Sequence, residues 1–317
     1  MPNTLINGAH IDTPLSNFAL KAFQSSEDFV AQRVFPVFDV VKESDLYYKV
    51  DPNSWLLAPV TDRARKTAPN VGEWKVDSEG YRCRNFAWST SIAKEDLANA
   101  DAALQLRENS AMYVTETLLR GLEIRVANQV TSISNVGSGV ALTGTAKWGD
   151  YAGSDPISDV TTAHAFIRSR TGIVPNTMVV DYDTYQVARF HPLIRDFSKM
   201  QSSGPVPDSV LRDVFRVDNI LIGRGIKNNA LENATASLTN IWGNNALLCY
   251  VQRPTGLRTA TFGLSFRWTP EGLPAPMVVQ RADDPDPKIG AEWIWGSYYQ
   301  DEKVVARDLA YLISGTL

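Results

Sequence analysis

Residues 94–133 read KEDLANADAALQLRENSAMYVTETLLRGLEIRVANQVTSI, and this stretch decides the centre of the fold. Alanine, leucine, glutamate and arginine dominate it, and all four favour helices. Apolar residues recur with helical periodicity at seven-residue intervals, at Leu97, Leu104, Ala111 and Leu118. The pattern predicts a short turn at 94–99 and one helix over 103–132, roughly 45 Å long. A coiled coil is the alternative, although the apolar stripe does not keep four clean heptads.

The segment before this helix predicts an extended hairpin. Residues 26–35 predict a short helix that Pro36 ends. Residues 37–50 and 71–90 are rich in residues that favour strands. Residues 51–70 between them predict a long exposed loop with a basic cluster, Arg63, Arg65 and Lys66. Because a two-stranded ribbon is only marginally stable alone, we expect it to lie on another surface, such as a neighbouring subunit.

The segment after the long helix predicts a mixed α+β domain. A connection rich in glycine and serine covers residues 134–157. Helices are then expected at three places, 158–171, 182–190 and 207–215. Strands are expected at seven places, 177–181, 218–223, 246–252, 258–268, 276–282, 291–299 and 302–313. The fold class is therefore α+β, with no internal repeats.

Composition excludes several classes of protein. The chain has 317 residues, 44% of them hydrophobic and 21% charged, which is typical of a folded domain. Its net charge of −4 lacks the basic excess of a dedicated nucleic-acid reader. No apolar run approaches the roughly 20 residues that cross a bilayer, and the start has no signal-peptide pattern. We expect a protein that folds in a cytoplasm, with Cys83 and Cys249 as buried hydrophobes.

Few residues suggest catalysis. The three histidines, His10, His164 and His191, are best interpreted as surface or capping residues. The Gly223–Arg224–Gly225 triplet lacks the third glycine of a dinucleotide-binding loop. Asp181 and Asp183 resemble a metal-binding DxD pair, but a strand end followed by a helix N-cap also favours aspartate. We expect no catalytic site, no cofactor and no metal.

Several segments, in this order, resemble the major capsid proteins of tailed bacteriophages, whose fold is called the Hong-Kong-ninety-seven type. The first is FVAQRVFPVFDVVKESDLYYKVD at 29–51. The others follow the long helix and are AKWGDYAGSDPISDV at 146–160, AHAFIRSRTGIVPNTMVV at 163–180, DYDTYQVARFHPLIRDF at 181–197 and IWGNNALLCYV at 241–251. Together they span the chain from about residue 28 to its end.

The resemblance implies an architecture in five parts. They are an N-terminal arm at 1–34, an E-loop region at 35–93, a P-domain with the long spine helix at 94–150, an A-domain at 151–284 and return strands of the P-domain at 285–317. The arm is short and lacks a charged helical preamble, so scaffolding is expected from a separate protein.

The resemblance also implies a function. The chain would assemble through hexamers and pentamers into the icosahedral shell of a virion, in the host cytoplasm, around double-stranded DNA that it contacts weakly and non-specifically. A scaffolding protein, a portal and a decoration protein would be its other partners, with no membrane. The E-loop would contact the neighbouring subunit through five residues, Trp55, Arg63, Arg65, Lys66 and Trp74.

Some proteins of this fold crosslink subunits through a lysine–asparagine isopeptide bond. Lys49, Lys66 and Lys75 could supply the amine, but no asparagine follows Asn245, so we expect no crosslink. Two alternatives remain open. One is an encapsulin-like compartment that houses protein cargo, and the other is a soluble metal-dependent enzyme that uses Asp181 and Asp183.

Overall fold

One long helix joins two five-stranded sheets among the residues that the structure describes. The structure is a computed structural model, and it describes residues 29–50, 62, 65–68, 76–99, 103–197, 205–230, 234–253, 260–271, 277–284 and 290–317. Within these ranges, no helix is both long enough and apolar enough to cross a membrane.

The elements are numbered in chain order within these ranges. The helices are α1 (Ala31–Val34), α2 (Lys94–Asn99), α3 (Ala103–Val130), α4 (Ile133–Val136), α5 (Pro156–Thr171), α6 (Tyr182–Phe190), α7 (Pro192–Phe197) and α8 (Asp208–Phe215). The strands are β1 (Val37–Val40), β2 (Ser44–Val50), β3 (Val76–Arg82), β4 (Arg84–Ala93), β5 (Gly139–Ala141), β6 (Thr177–Asp181), β7 (Asn219–Gly223), β8 (Ile226–Asn228), β9 (Leu238–Asn240), β10 (Asn245–Cys249), β11 (Gly263–Trp268), β12 (Met277–Asp283), β13 (Ala291–Val304) and β14 (Ala310–Ser314).

The long helix α3 packs on both sheets. Its first half buries Ala111 and Val114 against the sheet that contains β12 and β13. Its second half buries Leu122 and Val126 in a cluster that contains residues of β6, β10 and β14. The predicted helix is confirmed to within two residues, and the expected turn at 94–99 is the short helix α2. Since sheets cover the apolar stripe, the coiled-coil alternative is wrong.

Strand β13 is the centre of the first sheet. It pairs with β4 along one edge and with β12 and then β11 along the other, and β1 adds in parallel to β11. We expected a break near residue 300, but β13 runs unbroken for 14 residues. The alternation of buried and less buried residues continues through Gln300 and Glu302, whose side chains are polar but face the interior. Because Gln300 and Glu302 are polar, the sequence did not show that the strand continues through them.

The second sheet has the order β5-β14-β10-β6-β7. Strands β6 and β7 are parallel, whereas β10 pairs antiparallel to both β6 and β14. All five residues of β6 are buried, because α5 and α8 contribute to the core on one side of the sheet and α3 to the core on the other. The expected strands and helices between residues 156 and 223 are confirmed to within two residues.

Sheet pairing groups some segments differently from the expected five parts. Strands β11 and β12 lie in the first sheet with β4 and β13, and the final strand β14 lies in the second sheet. The boundaries at residues 150 and 284 stay a prediction. We propose that β11 and β12 belong with the P-domain and that β14 belongs with the A-domain, since strands of one sheet share one core.

Two expectations near the start of the chain need correction. The helix expected at 26–35 is four residues long, from Ala31 to Val34, and residues 26–28 lie outside the described ranges. The strand expected at 37–50 is two strands, β1 and β2, which join different partners. The interruption falls at Val41, Lys42 and Glu43, which are exposed and bend the chain from the first sheet into the ribbon.

Candidate assembly surfaces

The predicted hairpin is a two-stranded ribbon whose root is fixed to the first sheet. Strands β2 and β3 pair in antiparallel register from Ser44–Arg82 to Val50–Val76. The ring of Tyr81 stacks on Phe266 of β11 at 4.6 Å between centroids, and the Tyr47 ring lies 5.2 Å from the same phenylalanine. Burial raises the pKa of both tyrosine hydroxyls, which keeps them neutral. The root is therefore part of a core, as an isolated ribbon would not be.

The other face of the ribbon exposes apolar side chains. Leu46 is 57% exposed and Tyr48 is 50% exposed, and both alternate with the buried Tyr47. Across the ribbon, Lys49 pairs with Glu79, and this contact lowers the pKa of the glutamate. This charged pair lies on the same face as Tyr47, so the opposite face presents an exposed leucine and tyrosine, which are typical of a surface that a partner covers.

Only two of the five predicted interface residues lie in the described ranges. Arg65 and Lys66 form a turn, and both are exposed. Lys66 has a φ of 68°, which is a left-handed conformation that turns the chain sharply. Trp55, Arg63 and Trp74 lie outside the described residues. The role of all five in subunit contact stays a prediction.

The face of the first sheet that points away from α3 carries two tryptophans. Along β13, Ile294 is buried against α3, so Trp293 and Trp295 point to the opposite side. Trp293 is 36% exposed, and Trp295 is half-buried. Their cross-strand neighbours in β4 are Ser91 and Ser89, whose small side chains leave the rings accessible. We call these four residues the tryptophan face.

Acidic side chains border the tryptophan face. The indole N–H of Trp293 donates to Asp284 Oδ2 at 2.6 Å. Asp283 has a side chain that is 71% exposed, and its carboxylate lies 3.5 Å from Lys94 Nζ. Because an exposed pair at that distance is weak, the carboxylate can still attract a basic partner. The face combines apolar area with negative charge at one edge.

The residues considered for metal binding are arranged as a helix cap. The carboxylate of Asp181 is buried and accepts from the backbone N–H of Asp183, at the start of α6. The amide of Asn240 donates to both carboxylates, at 3.1 Å to Asp181 and 2.7 Å to Asp183. Burial raises the pKa of Asp181. Across the described ranges, no three acidic, histidine or cysteine side chains are grouped closely enough to hold a metal ion.

The histidines and cysteines form no catalytic group in the part of the chain that the structure describes. His164 contacts the Phe215 carbonyl oxygen at 2.8 Å, and His191 contacts Ser154 Oγ at 3.0 Å. Burial lowers the pKa of both imidazoles, which favours the neutral ring. Both cysteines are buried and free, as expected. His10 lies outside the described residues.

Sequence reasoning missed the charged contacts that join α3 to its surroundings. Arg125 and Arg107 bind the buried carboxylates of Glu302 and Glu292 on β13. Glu123 is fully buried in the second half of α3. In the sequence, Arg107, Glu123 and Arg125 look like the polar side of a helix. Only the inward polar positions of β13 in an otherwise alternating strand could have indicated the two pairs.

No protein-family model matches the chain, but known proteins are similar to it in sequence. The major capsid protein of Burkholderia phage BcepMu is 26% identical over 316 residues, which cover 96% of each chain. The major capsid protein of Pseudomonas phage JBD67 is 26% identical over 263 residues, which cover 81% of this chain and 83% of that protein. The similarity therefore extends across both sheets and the long helix.

Solved structures are similar to the chain in fold. A phage-related protein from Bordetella bronchiseptica RB50 superposes with a TM-score of 0.73 and 20% identity, over 97% of this chain and 98% of that one. The capsid structure of Cyanophage P-SCSP1u has a TM-score of 0.56 and 12% identity, over 89% and 86%. The SrpI encapsulin of Synechococcus elongatus PCC 7942 has a TM-score of 0.52 and 11% identity, over 89% and 85%. These likenesses establish a shared fold.

Proposed function

We propose that this chain, a major capsid protein of the tailed-phage type with the Hong-Kong-ninety-seven fold, is the structural subunit of an icosahedral shell. One observation carries the proposal: similarity to a phage major capsid protein runs through nearly the whole of both chains. The expected α+β capsid fold is confirmed by the structural neighbours. The named sequence relatives are structural proteins, which favours assembly over catalysis as the activity.

An encapsulin-like compartment is the second candidate, because an encapsulin shares the fold. Two observations favour the phage shell. The sequence relatives are phage capsid proteins, and the phage-related protein superposes more closely than the encapsulin. The two functions differ in what the shell encloses, which is nucleic acid in one case and protein cargo in the other.

The assembly pathway that we propose has rings of six and five subunits as intermediates. Repetition of one heterologous contact around an axis closes such rings, and many weak contacts then add to a stable shell. A separate scaffolding protein, a portal and a decoration protein would complete the particle in the host cytoplasm. The net charge of −4 suits a wall that encloses DNA with weak and non-specific contact.

The contact between subunits that we propose joins the ribbon tip to the tryptophan face of a neighbour. We use "ribbon tip" for the expected loop between β2 and β3, whose sequence contains the basic cluster Arg63, Arg65 and Lys66, and the tryptophan face has Asp283 and Asp284 at its edge. Opposite charges would guide the encounter, and apolar contact with Trp293 and Trp295 would supply the affinity. Trp55 and Trp74 of the ribbon would add apolar area to the same contact.

Negative-stain electron microscopy across a concentration series, with size-exclusion chromatography, tests the function. We expect closed shells, rings or tubes, since these are the products of one repeated contact. Nucleic acid in shells purified from infected cells would favour the phage function over the compartment. A stable monomer at high concentration, even with the scaffolding protein of the phage added, would contradict assembly.

A further inference from the structure

A buried carboxylate in α3 holds the point where the N-terminal arm enters the subunit. Glu123 is 0% exposed. Its Oε2 accepts the backbone N–H of Ala31 at 2.8 Å, and its Oε1 accepts the backbone N–H of Val30 at 3.1 Å. The indole N–H of Trp242 donates to Oε1 at 2.5 Å. Three donors from two distant parts of the chain therefore converge on one side chain.

Two glycines make room for this cluster. A Cβ at Gly223 would lie 2.1 Å from Cδ1 of Trp242, so only glycine lets the indole ring reach Glu123. A Cβ at Gly225 would lie 2.9 Å from Ile241 and 3.6 Å from both Glu123 and Phe29. The Gly-Arg-Gly triplet, which resembled a fragment of a dinucleotide loop, thus shapes the cavity that Glu123 and the incoming chain fill.

Removing the Glu123 carboxylate from water costs free energy, whereas burying an apolar side chain is favourable. The role of Glu123 therefore differs from that of an apolar core residue. Burial raises the pKa of Glu123, whereas the hydrogen bonds from Trp242, Val30 and Ala31 and the nearby charge of Arg33 act in the opposite direction. An apolar side chain of similar volume often stabilises a fold as much as a buried charge does. A carboxylate differs in its directional acceptors, which fix the orientation of the groups that bind it.

The directional contacts act on the first residues of α1. Val30, Ala31, Val34 and Phe35 are buried in the core beside α3, but apolar contact alone permits small rotations of a four-residue helix. The two bonds to Glu123 lock the backbone at residues 30 and 31. The direction of the backbone at residues 30 and 31 is therefore set by α3.

We propose that Glu123 is a positioning residue for shell assembly, which sets the direction of the backbone at Val30 and Ala31, the root of the N-terminal arm, relative to α3 and thereby the geometry of contact between subunits. This inference rests on the proposed shell function. In a shell, a small change of direction at the root of an arm is repeated at every subunit, so it alters curvature and closure. The expected defect is thus one of particle geometry, in addition to the stability that is lost when the N–H groups of Val30, Ala31 and Trp242 lose their acceptor.

The test compares Glu123→Met, which keeps the volume but removes both acceptors, with Glu116→Met, which makes the same change at an exposed site of the same helix. Hydrogen exchange of the 29–35 peptide reports the contact, and electron microscopy of assembled particles reports the geometry. For Glu123→Met we expect exchange at Val30 and Ala31 to rise about tenfold and uniform shells to give way to mixed diameters or open sheets. Glu116→Met should behave as the wild type in both measurements.

Glu123→Gln is the second variant, and it tests the positioning role of Glu123 if Glu123→Met does not fold. Glutamine keeps one acceptor oxygen but turns an amide donor towards one of the two backbone N–H groups, so an intermediate defect is expected. Uniform wild-type shells from the variant with faster exchange would overturn the positioning role. Unchanged exchange would overturn the contact itself. Absence of shells from the wild type would instead count against the proposed function.

Discussion

Two arginines of α3 neutralise two glutamates that β13 buries beneath the helix. Glu292 and Glu302 are 5% and 4% exposed, and each accepts two hydrogen bonds or more from one guanidinium. The Arg125 guanidinium also lies 3.6 Å from the centre of the Phe86 ring and donates to the Tyr298 hydroxyl. Bidentate contacts of this kind fix the register between helix and sheet more than they add stability.

Removal of one partner of the Arg125–Glu302 ion pair should lower the stability of the subunit. We expect Arg125→Met to lower the free energy of unfolding by about 3 kcal/mol, because it leaves the Glu302 carboxylate buried and uncompensated. The double variant Arg125→Met with Glu302→Gln should lose less, since the buried charge is gone. Urea unfolding of unassembled subunits measures both, with Arg120→Met as a control on the same helix. Equal losses from the single and the double variant would contradict a buried ion pair.

Glu123 should make stability depend on pH in a defined direction. Its pKa is raised above the ordinary value of 4.5, so the folded subunit binds the proton more tightly than the unfolded chain does. The stability from this group is fully present below the ordinary pKa and is lost as pH rises through the raised one. The stability of Glu123→Met relative to that of the wild type should therefore increase as pH rises above about 4.5.

Urea midpoints of unassembled subunits at several pH values measure that difference. The matched control Glu116→Met removes an exposed carboxylate from the same helix and is measured at the same pH values. A flat difference between Glu123→Met and the wild type would mean that the buried carboxyl titrates as it does in the unfolded chain.

At the scale of elements, α3 works as a rod that both sheets share. Its 28 residues give a length of about 42 Å. The first half of the rod lies on β4, β12 and β13, and the second half lies on the second sheet and on α1. Any bend in the helix would change the relation of ribbon root, arm and second sheet at once.

Two glycine substitutions separate helix propensity from packing. Gly121 lies inside α3, and a Cβ there would meet its nearest neighbour, Arg125 Nη1, at an ordinary 3.7 Å. Gly121→Ala should therefore stabilise the subunit by about 0.5–1 kcal/mol. Gly223→Ala should destabilise it by about 2 kcal/mol or more, since the Trp242 ring occupies the space. Chemical unfolding of both variants checks the two signs, and a stabilised Gly223→Ala would contradict the tight contact.

At the scale of the whole molecule, the ribbon and the tryptophan face lie on one chain but are proposed to meet between chains. The double variant Arg65→Glu with Lys66→Glu should abolish shells while leaving the subunit folded, because both side chains are exposed. Adding Asp283→Arg to it should restore part of the assembly by reversing the charges on both partners. Light scattering during assembly measures the yield.

The control for that experiment is Lys42→Glu, which reverses an exposed charge near the ribbon root, away from the tip. It should assemble as the wild type does. If the tip variant assembles normally, or if Asp283→Arg gives no rescue, the tip does not meet this acidic edge.

Purified shells should contain no covalent links between subunits. No asparagine follows Asn245, and the amine of Lys49 is already paired with Glu79 within the ribbon. Denaturing gels of mature shells should show one band, at the mass of a single subunit. A ladder of multiples would contradict this expectation and would require another acceptor.

The sequence alone predicted those parts of the fold that depend on near neighbours in the chain. Helix α3 was expected at 103–132 and spans Ala103–Val130, and strand β6 was expected and found at 177–181. Periodicity, caps and prolines act over a few residues, so their signals can be read directly. The order of such pieces also carried the resemblance to phage capsid proteins. The interface role of Trp55, Arg63, Arg65, Lys66 and Trp74 remains a prediction, since contacts between subunits leave no local pattern.

Only the tertiary structure decided which distant segments meet. Strand β13 pairs with β4 about 200 positions earlier in the chain, and β14 joins the second sheet instead of the first. Glu123 lies between Leu122 and Ile124 in the sequence. These neighbours do not show whether the glutamate is buried or lies on the polar side of the helix. Its three donors come from residues 92, 93 and 119 positions away. Because a buried charge is satisfied by long-range partners, its role becomes visible only when the chain is folded.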